Sequence, residues 1–296
     1  MQIYNSLDEV KEAGTIAPDS IVNADCLEAM KLIPDKSIDC IICDLPYGIT
    51  ACKWDIVIPF DLLWEQYKRI IKPNGAIVLF GSQPFTSALV MSNPKWFQCE
   101  WIWHKSKPSG VAFKNQPMRN HEHILVFGIP KTFNAIFEDR EAFTKGSQKR
   151  FDDAKRLGAQ TLGTYRNTKN NTTGMAETGK RPMTMQRKPT TIKRFGSVPN
   201  RFGSLHPTQK PIPLIEYLLK TYSIEGEIIV DNTAGSGTLA IACINTNRRY
   251  ICIEKDPDYF EVMRNRIETH DPNTLATPKK TRKPKVITEG QLALFG

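Results

Sequence analysis

Short apolar runs alternate with amphipathic segments in two blocks of this 296-residue chain, residues 20–130 and 205–268. In the first block, "SIDCIICD" predicts a buried strand and residues 60–71 predict an amphipathic helix. In the second block, "EIIVD" and "YICIE" predict strands, each followed by a helix. Such alternation is typical of an α/β protein with a mostly parallel, twisted sheet and helices on both faces.

A polar, basic segment separates the two blocks. Residues 131–204 contain 16 Lys and Arg against 6 Asp and Glu, in a chain whose net charge is +9. Residues 271–296 contain 5 basic against 2 acidic side chains, so the rest of the chain is slightly acidic. This separation of charge favours a polyanionic partner over an evenly solvated surface. The weak periodicity of the segment predicts an irregular insertion.

The remaining composition favours a cytoplasmic protein. No apolar run approaches the ~20 residues that a membrane span needs, and the polar N-terminal stretch lacks the features of a signal peptide. Seven cysteines, an odd number in mostly apolar surroundings, indicate reduced thiols rather than a disulfide framework. Cys40 and Cys43 have the spacing of half a metal site, but residues three apart in a strand face opposite ways, so we expect no metal there.

The predicted strand that contains these two cysteines ends in Asp44-Leu45-Pro46-Tyr47. Asp and Pro suit a turn, and Gly48 would complete it. A turn has no need of the aromatic ring of Tyr47, so this stretch is a candidate site of chemistry.

A second unusual strand ending occurs in "EIIVDNTAGSGTLAIACI". The strand ends at Asp231, a turn with Gly235 and Gly237 follows, and a helix begins. A carboxylate at this edge of a parallel sheet can accept a hydrogen bond from a nucleoside-like cofactor, and Glu254 ends the next strand, where an acid would reach a ribose. The spacing is similar to a dinucleotide-binding fingerprint but is not GxGxxG. Taken alone, a Gly-rich turn between strand and helix would also explain it.

Together the two stretches resemble motifs IV and I of the β-class amino-group DNA methyltransferases, which use S-adenosyl-L-methionine. The catalytic motif of that family, usually D-P-P-Y, is Asp44-Leu45-Pro46-Tyr47 here, and the cofactor motif D-P-F-x-G-S-G-T is Asp231 to Thr238. "HPTQKP", "NHEHILVFG" and "NADCLEAM" are similar to other motifs of the family. The catalytic half precedes the cofactor half, which is the order of the β-class. Leu45 departs from the usual proline, which leaves the rigidity of the backbone open at that point.

The resemblance implies a Rossmann-like methyltransferase fold with an irregular basic recognition insertion. Residues 1–130 would form the catalytic half, 131–204 the target-recognition insertion, 205–270 the cofactor-binding half and 271–296 a flexible basic tail. The implied catalytic residues are Asp44, Pro46 and Tyr47. The implied cofactor-binding residues are Asp25, Cys26, Asp44, His206, Thr208, Lys210, Asp231, Ala234, Gly235, Ser236, Gly237, Thr238 and Glu254.

The implied reaction is transfer of a methyl group to an exocyclic amine of a base in double-stranded DNA. Asp44 and a main-chain carbonyl of Leu45 or Pro46 would accept hydrogen bonds from the amine, which localises its lone pair toward the methyl group. The base must flip out of the duplex, and Tyr47 would stack on it. Asp rather than Ser at position 44 favours the 6-amino group of adenine.

Three alternatives stay open at this point. The 4-amino group of cytosine could be the target on the same scaffold. A catalytically idle nucleic-acid-binding module is disfavoured because Asp44, Pro46 and Tyr47 are intact. An RNA substrate is disfavoured by the large insertion between the motifs.

The C-terminal stretch Gln291-Leu292-Ala293-Leu294-Phe295 resembles the QLxLF peptide by which bacterial replication and repair proteins bind the sliding clamp. It follows a Pro- and Lys-rich stretch that would act as a linker. A tail that folds back on the core and a chance match are the alternatives. The family resemblance also favours a homodimer and a bacterial or phage origin.

Overall fold

The computed structural model describes residues 1–49, 55–109, 117–139, 186–197 and 209–272, which form strands and helices in alternation. The strands are β1 (Gln2–Tyr4), β2 (Ser20–Asn23), β3 (Ile38–Cys43), β4 (Ile71–Gly81), β5 (Phe97–Ser109), β6 (Arg119–Gly128), β7 (Glu138–Asp139), β8 (Gln186–Arg187), β9 (Ile192–Phe195), β10 (Ile228–Asp231) and β11 (Arg249–Glu254). The helices are α1 (Leu7–Ala13), α2 (Cys26–Met30), α3 (Phe60–Ile70), α4 (Phe85–Ser92), α5 (Ile212–Tyr222), α6 (Thr238–Asn245) and α7 (Pro257–Glu268).

Nine strands form one sheet in the order β1-β2-β11-β10-β3-β4-β6-β5-β9. Pairing is parallel from β1 to β4, antiparallel from β4 through β6 to β5, and parallel between β5 and β9. Strands β7 and β8 form a separate antiparallel pair. The predicted α/β fold with a mostly parallel sheet is confirmed. Because β10 lies beside β3, the two sequence blocks meet in the middle of the sheet.

Helices cover both faces of the sheet, as predicted. On one face, Cys40 and Ile42 of β3 belong to a core that includes α5, α6 and α7. On the other face, Ile41 and Cys43 belong to a core that includes α1 to α4. The two cysteines therefore lie on opposite faces of the strand, which agrees with the spacing argument.

Helix α3 illustrates how the local sequence gives these elements. Its buried apolar side chains recur at helical spacing and form one face: Leu63, Trp64, Tyr67 and Ile70. The helix ends where β4 begins at Ile71, earlier than the sequence predicts. The register with β3 then shifts between Ile71 and Ala76, so residues 72–75 form an irregularity within a longer strand.

Part of the basic segment contributes a strand to the sheet, which the sequence did not predict. Strand β9 pairs with β5, with His104 opposite Arg194 and Lys105 opposite Phe195. The prediction of an irregular insertion is therefore wrong for residues 192–195. Because this strand has only four residues and two of them are basic, it lacks the alternation by which longer strands are recognised.

A buried lysine holds β9 against the sheet. Lys193 forms an ion pair with Glu138, and its Nζ lies 5.4 Å from the ring centroids of both Trp101 and Tyr217. The Lys193 side chain is only 7% exposed. It therefore acts as a packing residue of the fold and not as a surface charge.

Residues 140–185 and 198–204, most of the predicted recognition insertion, lie outside the described residues, as does the chain from residue 273. The segment boundaries and the clamp-binding peptide at 291–295 therefore stay predictions. Within the described part of the chain, no helix has both the length and the apolar character that crossing a membrane requires.

Candidate active site

Four carboxylates lie at the carboxyl ends of four neighbouring strands. Asp44 follows β3, Asp231 ends β10, Glu254 ends β11 and Asp25 follows β2. These strands are adjacent in the order β2-β11-β10-β3 and pair in parallel, so their carboxyl ends meet at one edge. The sheet thus brings the predicted catalytic and cofactor-binding acids to the edge where α/β proteins bind their ligands.

The carboxylate of Asp44 is held from two sides. Its Oδ1 accepts a 2.6 Å hydrogen bond from the hydroxyl of Tyr47, and its Oδ2 accepts one from the ammonium of Lys210. The Nζ of Lys210 also lies 3.3 Å from Oε2 of Glu122, and Oε1 of Glu122 is paired with Lys105. Asp44, Lys210, Glu122 and Lys105 therefore form a chain in which the charges alternate in sign.

Burial and pairing together set the ionisation of this chain. Burial raises the pKa of Asp44, and the Lys210 ammonium opposes that rise. Burial alone would also raise the pKa of Glu122, but Lys210 and Lys105 lower it overall. Burial alone would lower the pKa of Lys210, but Asp44 and Glu122 raise it. Glu122 and Lys210 are therefore charged at neutral pH, and Lys210 favours the ionised form of Asp44.

The backbone after Asp44 is fixed by local contacts. The ring of Tyr47 packs against Phe85, with 5.0 Å between the ring centroids. The N–H groups of Gly48 and Ile49 donate hydrogen bonds of 2.8 and 2.9 Å to the carboxylate of Asp55. The aromatic ring is thus presented beside Asp44 from an ordered turn.

Leu45 takes the place of the usual proline, and the structure gives its side chain a packing role. Leu45 is 4% exposed and belongs to the core on the α1–α4 face of the sheet, whereas Pro46 is half-buried. A proline restricts the backbone through its ring. Here a buried side chain anchors the loop to the core instead.

The glycine-rich loop, residues 231–238, is held by the acids at the strand ends. The N–H of Gly235 donates to Oε2 of Glu254 at 2.7 Å, and the N–H of Thr233 donates to Oδ1 of Asp231 at 3.1 Å. Carboxylates predicted to bind the cofactor therefore also shape the loop that would surround it.

Helix α7 holds the end of this loop. Gly237 has a φ of +75°, and a Cβ there would lie 2.6 Å from Cγ of Met263. Glycine is required at this position both for the left-handed conformation and for space. The Arg266 guanidinium donates to the main-chain oxygen and the hydroxyl of Ser236 at 2.9 and 3.2 Å, and to the hydroxyl of Thr238 at 3.1 Å. The hydroxyls of these two predicted cofactor-binding residues therefore contact Arg266.

The Asp44–Tyr47 loop, which is the predicted catalytic loop, directly contacts the glycine-rich loop, which is the predicted cofactor loop. The Oγ1 of Thr233 donates a 3.0 Å hydrogen bond to the main-chain oxygen of Asp44. The Oδ1 of Asn232 accepts hydrogen bonds from the hydroxyl of Tyr67 at 2.6 Å and from the thiol of Cys43 at 2.8 Å. Asn232 and Thr233 stand where the family motif usually has Pro and Phe, so this polar link is a departure from that motif.

Asp231, at the start of the cofactor loop, has an unusually high pKa for a carboxyl group. Burial raises the pKa of Asp231 to about 7, the N–H of Thr233 opposes that rise, and the charges of Asp44 and Glu254 add to it. Burial also raises the pKa of Glu254. A crowded set of carboxylates such as this one is relieved by a ligand that brings positive charge or hydrogen-bond donors.

Asp25 and Cys26 lie at the start of α2. The Oδ1 of Asp25 accepts the N–H of Leu27 at 3.0 Å, which caps the helix, and its Oδ2 lies 3.1 Å from Nζ of Lys255. Burial raises the pKa of Cys26 to about 11, so its side chain is a neutral thiol. Asp25 thus contacts Lys255, the residue that follows β11.

The structure describes only some of the remaining predicted site residues. Ala234 is buried, and its N–H donates to the main-chain oxygen of Ile253 at 2.9 Å. His206 and Thr208 of "HPTQKP" lie outside the described residues, so Lys210 is the member of the predicted site set that the structure places from this motif.

Sequence reasoning missed three side chains that shape the site: Lys105, Glu122 and Arg266. Glu122 had a signal, because it lies in "NHEHILVFG", one of the stretches that resemble motifs of the family. Lys105 and Arg266 had none, because each resembles an ordinary charge at the edge of a strand or on a helix.

The acidic edge suits S-adenosyl-L-methionine by its chemistry. That molecule has a cationic ammonium, a cationic sulfonium and two ribose hydroxyls, and carboxylates accept hydrogen bonds from or attract each of these groups. Asp25, Asp231 and Glu254 supply such carboxylates on three adjacent strands. Among the described residues, no three His, Cys, Asp or Glu side chains are grouped as a metal site.

A Rossmann-like sheet with an Asp-x-Pro-Tyr loop beside a Gly-Ser-Gly-Thr loop defines the class of amino-group methyltransferases. A profile of the DNA methylase family, which covers the N6 and N4 methyltransferases, matches residues 38–265. The chain belongs to this family, and its cofactor is S-adenosyl-L-methionine. The family resemblance predicted from the motifs is thereby confirmed.

Individual relatives agree with this assignment. M.HpaI, a type II methyltransferase of Haemophilus parainfluenzae, is 25% identical over 265 residues, which cover 84% of this chain and 74% of the relative. The structure of M1.HpyAVI with S-adenosyl-L-methionine aligns with a TM-score of 0.54 at 22% identity, covering 83% of this chain and 98% of that one. The cytosine-N4-specific PvuII methyltransferase aligns with a TM-score of 0.57 at 13% identity, covering 88% and 91%. The two structures support the fold.

Proposed function

We propose that the protein methylates the exocyclic 6-amino group of adenine in double-stranded DNA at specific sites. The observation that carries the proposal is the carboxylate of Asp44 at the head of the catalytic loop, beside the cofactor loop. In related enzymes an Asp at this position accompanies adenine more often than cytosine. The proposal extends the family's amino-methylation to one base.

Asp44, Pro46 and Tyr47 are the proposed catalytic residues. The Asp44 carboxylate and a main-chain carbonyl of the loop accept hydrogen bonds from the amine, so that its lone pair is less delocalised into the purine ring. Tyr47, whose ring already packs against that of Phe85 at an interplanar angle of 33°, stacks on the flipped base. Correct placement of the amine supplies most of the rate, because the methyl donor is already activated.

The cofactor is proposed to bind along the strand ends. Glu254 would accept hydrogen bonds from the ribose hydroxyls, Asp25 and Cys26 would contact the adenine moiety, and Asp231 would attract the cationic methionine end. The loop residues Ala234, Gly235, Ser236, Gly237 and Thr238 would approach through their backbone, and the "HPTQKP" residues His206, Thr208 and Lys210 would complete the pocket. When bound, the cofactor supplies an electrophilic methyl group.

Recognition of the DNA is proposed to reside in residues 131–204. Their excess of Lys and Arg suits phosphate contacts, and their Asn, Gln and Arg side chains suit base edges. The buried Lys193 would not contact phosphates, because it is used to hold β9 in the sheet. Methylation of DNA is consistent with the cytoplasm of a bacterial cell, which we retain as the expected location.

Cytosine is the second candidate base. The alignment with PvuII methyltransferase, which is cytosine-N4-specific, supports retaining it. Incubation with tritiated S-adenosyl-L-methionine and unmethylated DNA, followed by hydrolysis and chromatography of the nucleosides, separates the two. Label in N6-methyladenine is expected. Label in N4-methylcytosine would overturn the choice of base. Label in RNA from a parallel incubation, without label in DNA, would overturn the choice of polymer.

A matched pair of variants tests the proposed catalytic role. Asp44→Asn replaces one acceptor oxygen by an amide donor and is expected to lower the rate at least ~100-fold, the order of magnitude for loss of one preorganised hydrogen-bonding group. Asp55→Asn, in the adjacent turn, also removes a carboxylate but lies outside the proposed contact with the base, so a smaller loss is expected. Equal losses for the two would mean that the whole loop, and not Asp44, had been damaged.

Binding of the sliding clamp by Gln291–Phe295 is proposed separately. Wild-type protein and the double variant Leu294→Ala/Phe295→Ala would be passed over immobilised bacterial clamp. Retention of the wild type alone is expected, and equal retention would refute the proposal. A homodimer is likewise proposed, and sedimentation equilibrium would test it by the measured mass.

A further inference from the structure

Lys210 has contacts that a role in cofactor binding does not explain. Its side chain is 7% exposed, and its Nζ contacts Oδ2 of Asp44 and lies 3.3 Å from Oε2 of Glu122. The same nitrogen lies 5.1 Å from the ring centroid of Phe80 and 5.9 Å from that of Tyr47. A buried lysine with two carboxylate neighbours is costly to place unless its charge is used.

We propose that Lys210 is a positioning residue for Asp44, and that Glu122 and Lys105 hold Lys210 in place. The inference rests on the proposed role of Asp44 and deepens it. Lys210 contacts the carboxylate that meets the base, and it acts on the reaction through that carboxylate.

The first argument is geometric. The ammonium of Lys210 is bonded to Oδ2 of Asp44, so Oδ1, which in this structure accepts the neutral Tyr47 hydroxyl, is the oxygen more available to a base amine. A base amine that donates to Oδ1 would share that oxygen with the Tyr47 hydroxyl or displace it. Lys210 thus determines which oxygen of Asp44 faces the amine, and Tyr47 covers that oxygen until the base arrives.

The second argument concerns charge. The groups that face Asp44 are the Tyr47 hydroxyl, the Lys210 ammonium and the carboxylate of Glu122, with Asp231 on the neighbouring strand. Burial and the Glu122 carboxylate favour a protonated Asp44, which would lose acceptor capacity. Lys210 is the cation that opposes them. By favouring the ionised form, Lys210 keeps the acceptor capacity of Asp44 available to the base amine.

The third argument concerns support. Glu122 lies on β6 and Lys105 on β5, strands that pair directly. The ion pairs from Lys105 to Glu122 and from Glu122 to Lys210 connect the catalytic carboxylate to the rigid antiparallel part of the sheet. Lys210 itself lies outside the strands, in the segment that leads into α5.

The test is the pH dependence of single-turnover methylation, measured from pH 5.5 to 9 with unmethylated bacterial DNA and saturating tritiated S-adenosyl-L-methionine. For Lys210→Met the rate at pH 7 should fall at least ~10-fold. The acid limb, which is the part of the pH profile where the rate falls toward low pH, should move to higher pH by about one unit or more. Lys210→Arg, which keeps the charge, should keep the acid limb. Dissociation constants for the cofactor are measured for both variants, so that the rates are compared with the cofactor site saturated.

Glu122→Gln provides the signature that a merely structural role would not give. The Glu122 carboxylate raises the pKa of Asp44, so its removal should move the acid limb to lower pH while the loss of support lowers the plateau rate. The two variants should therefore move the acid limb in opposite directions. An unmoved limb in Lys210→Met, or a loss fully restored by more cofactor, would overturn the inference.

Two further results keep the test decisive. If Lys210→Met does not fold by circular dichroism, Glu122→Gln decides, and an acid limb that stays or moves to higher pH overturns the inference. Asp44→Asn is run in the same assay. If it is as active as the wild type, the proposed role of Asp44 fails; if it is inactive while Lys210→Met is normal, only the role of Lys210 fails.

Discussion

The hydroxyl of Thr233 donates a 3.0 Å hydrogen bond to the main-chain oxygen of Asp44, so the cofactor loop directly holds the catalytic loop. The two residues follow adjacent parallel strands, β10 and β3. A single hydrogen bond therefore relates the part of the site that would bind the methyl donor to the part that would bind the acceptor. The usual Phe at this position of the motif could not form it.

Thr233→Val tests this link, because valine retains the shape of threonine and lacks the hydroxyl. The single-turnover rate should fall about two- to tenfold, since a neutral hydrogen bond contributes ~0.5–1.5 kcal/mol, while the affinity for the cofactor changes less. Thr233→Ser keeps the hydroxyl and is the control. Equal loss of rate and of cofactor affinity in Thr233→Val would mean that the residue serves the cofactor pocket alone.

Gly237→Ala should destabilise the protein through two effects. A φ of +75° costs a residue with a Cβ about 1–2 kcal/mol, and contact with Met263 at 2.6 Å adds ~1–3 kcal/mol of overpacking. Gly226→Ala is the control, because Gly226 has a φ of +82° and no atom within 4 Å of the added Cβ. Urea unfolding should show a larger loss for Gly237→Ala. Equal losses would show that Met263 moves aside without cost.

The stability of the protein without cofactor should depend on the ionisation of Asp231. Its pKa of about 7 in the folded state lies above the ordinary value of 3.8, so the folded state holds the proton more tightly. The contribution of this group is fully present below about pH 4 and is lost as the pH rises through about 7. The three-unit shift corresponds to a loss of ~4 kcal/mol.

Asp231→Asn isolates that contribution, because the amide keeps an oxygen for the N–H of Thr233. Between pH 5 and pH 8, the free energy of unfolding in urea should fall more for the wild type than for Asp231→Asn. Saturating cofactor should reduce the difference if its ammonium binds Asp231. If the free energies of unfolding of the two proteins depend on pH in the same way, Asp231 is not the group whose pKa is raised.

Much of this arrangement follows from the sequence because it depends on local patterns. Apolar runs define β3, β10 and β11, and an acid after each strand must lie at the common carboxyl edge once the strands are parallel. The contact of Lys210 with Asp44 and Glu122 could not be predicted in this way. It depends on the path of the chain before α5 and on the antiparallel order of β4, β6 and β5, which no local pattern specifies.

Strand β9 is a second feature that local sequence patterns do not predict. Its four residues carry no clear alternation, and the surrounding basic composition predicts an irregular segment. Its place in the sheet depends on pairing with β5 and on the burial of Lys193 between aromatic rings. These are long-range contacts, which the local sequence does not encode.

Lys193→Met should therefore reduce stability although it removes only one charge from a basic segment. Loss of the ion pair leaves Glu138 without its buried partner. Because Glu138 is partly solvated, we expect the free energy of unfolding to fall by only ~1–3 kcal/mol. Lys188→Met, on the same described segment but exposed, is the matched control. Urea unfolding and the rate of proteolytic cleavage near β9 would be compared. Indistinguishable variants would show that Lys193 does not hold the strand.

The position of β10 between β11 and β3 has a consequence for synthesis on the ribosome. Until the last third of the chain has emerged, β3 has a neighbour on one side only, and its other edge of backbone donors and acceptors is unpaired. A nascent chain that stops before β10 presents an apolar, open strand edge and lacks half of its active site. Truncated products should therefore aggregate and depend on chaperones, and no methylation can precede completion of the fold.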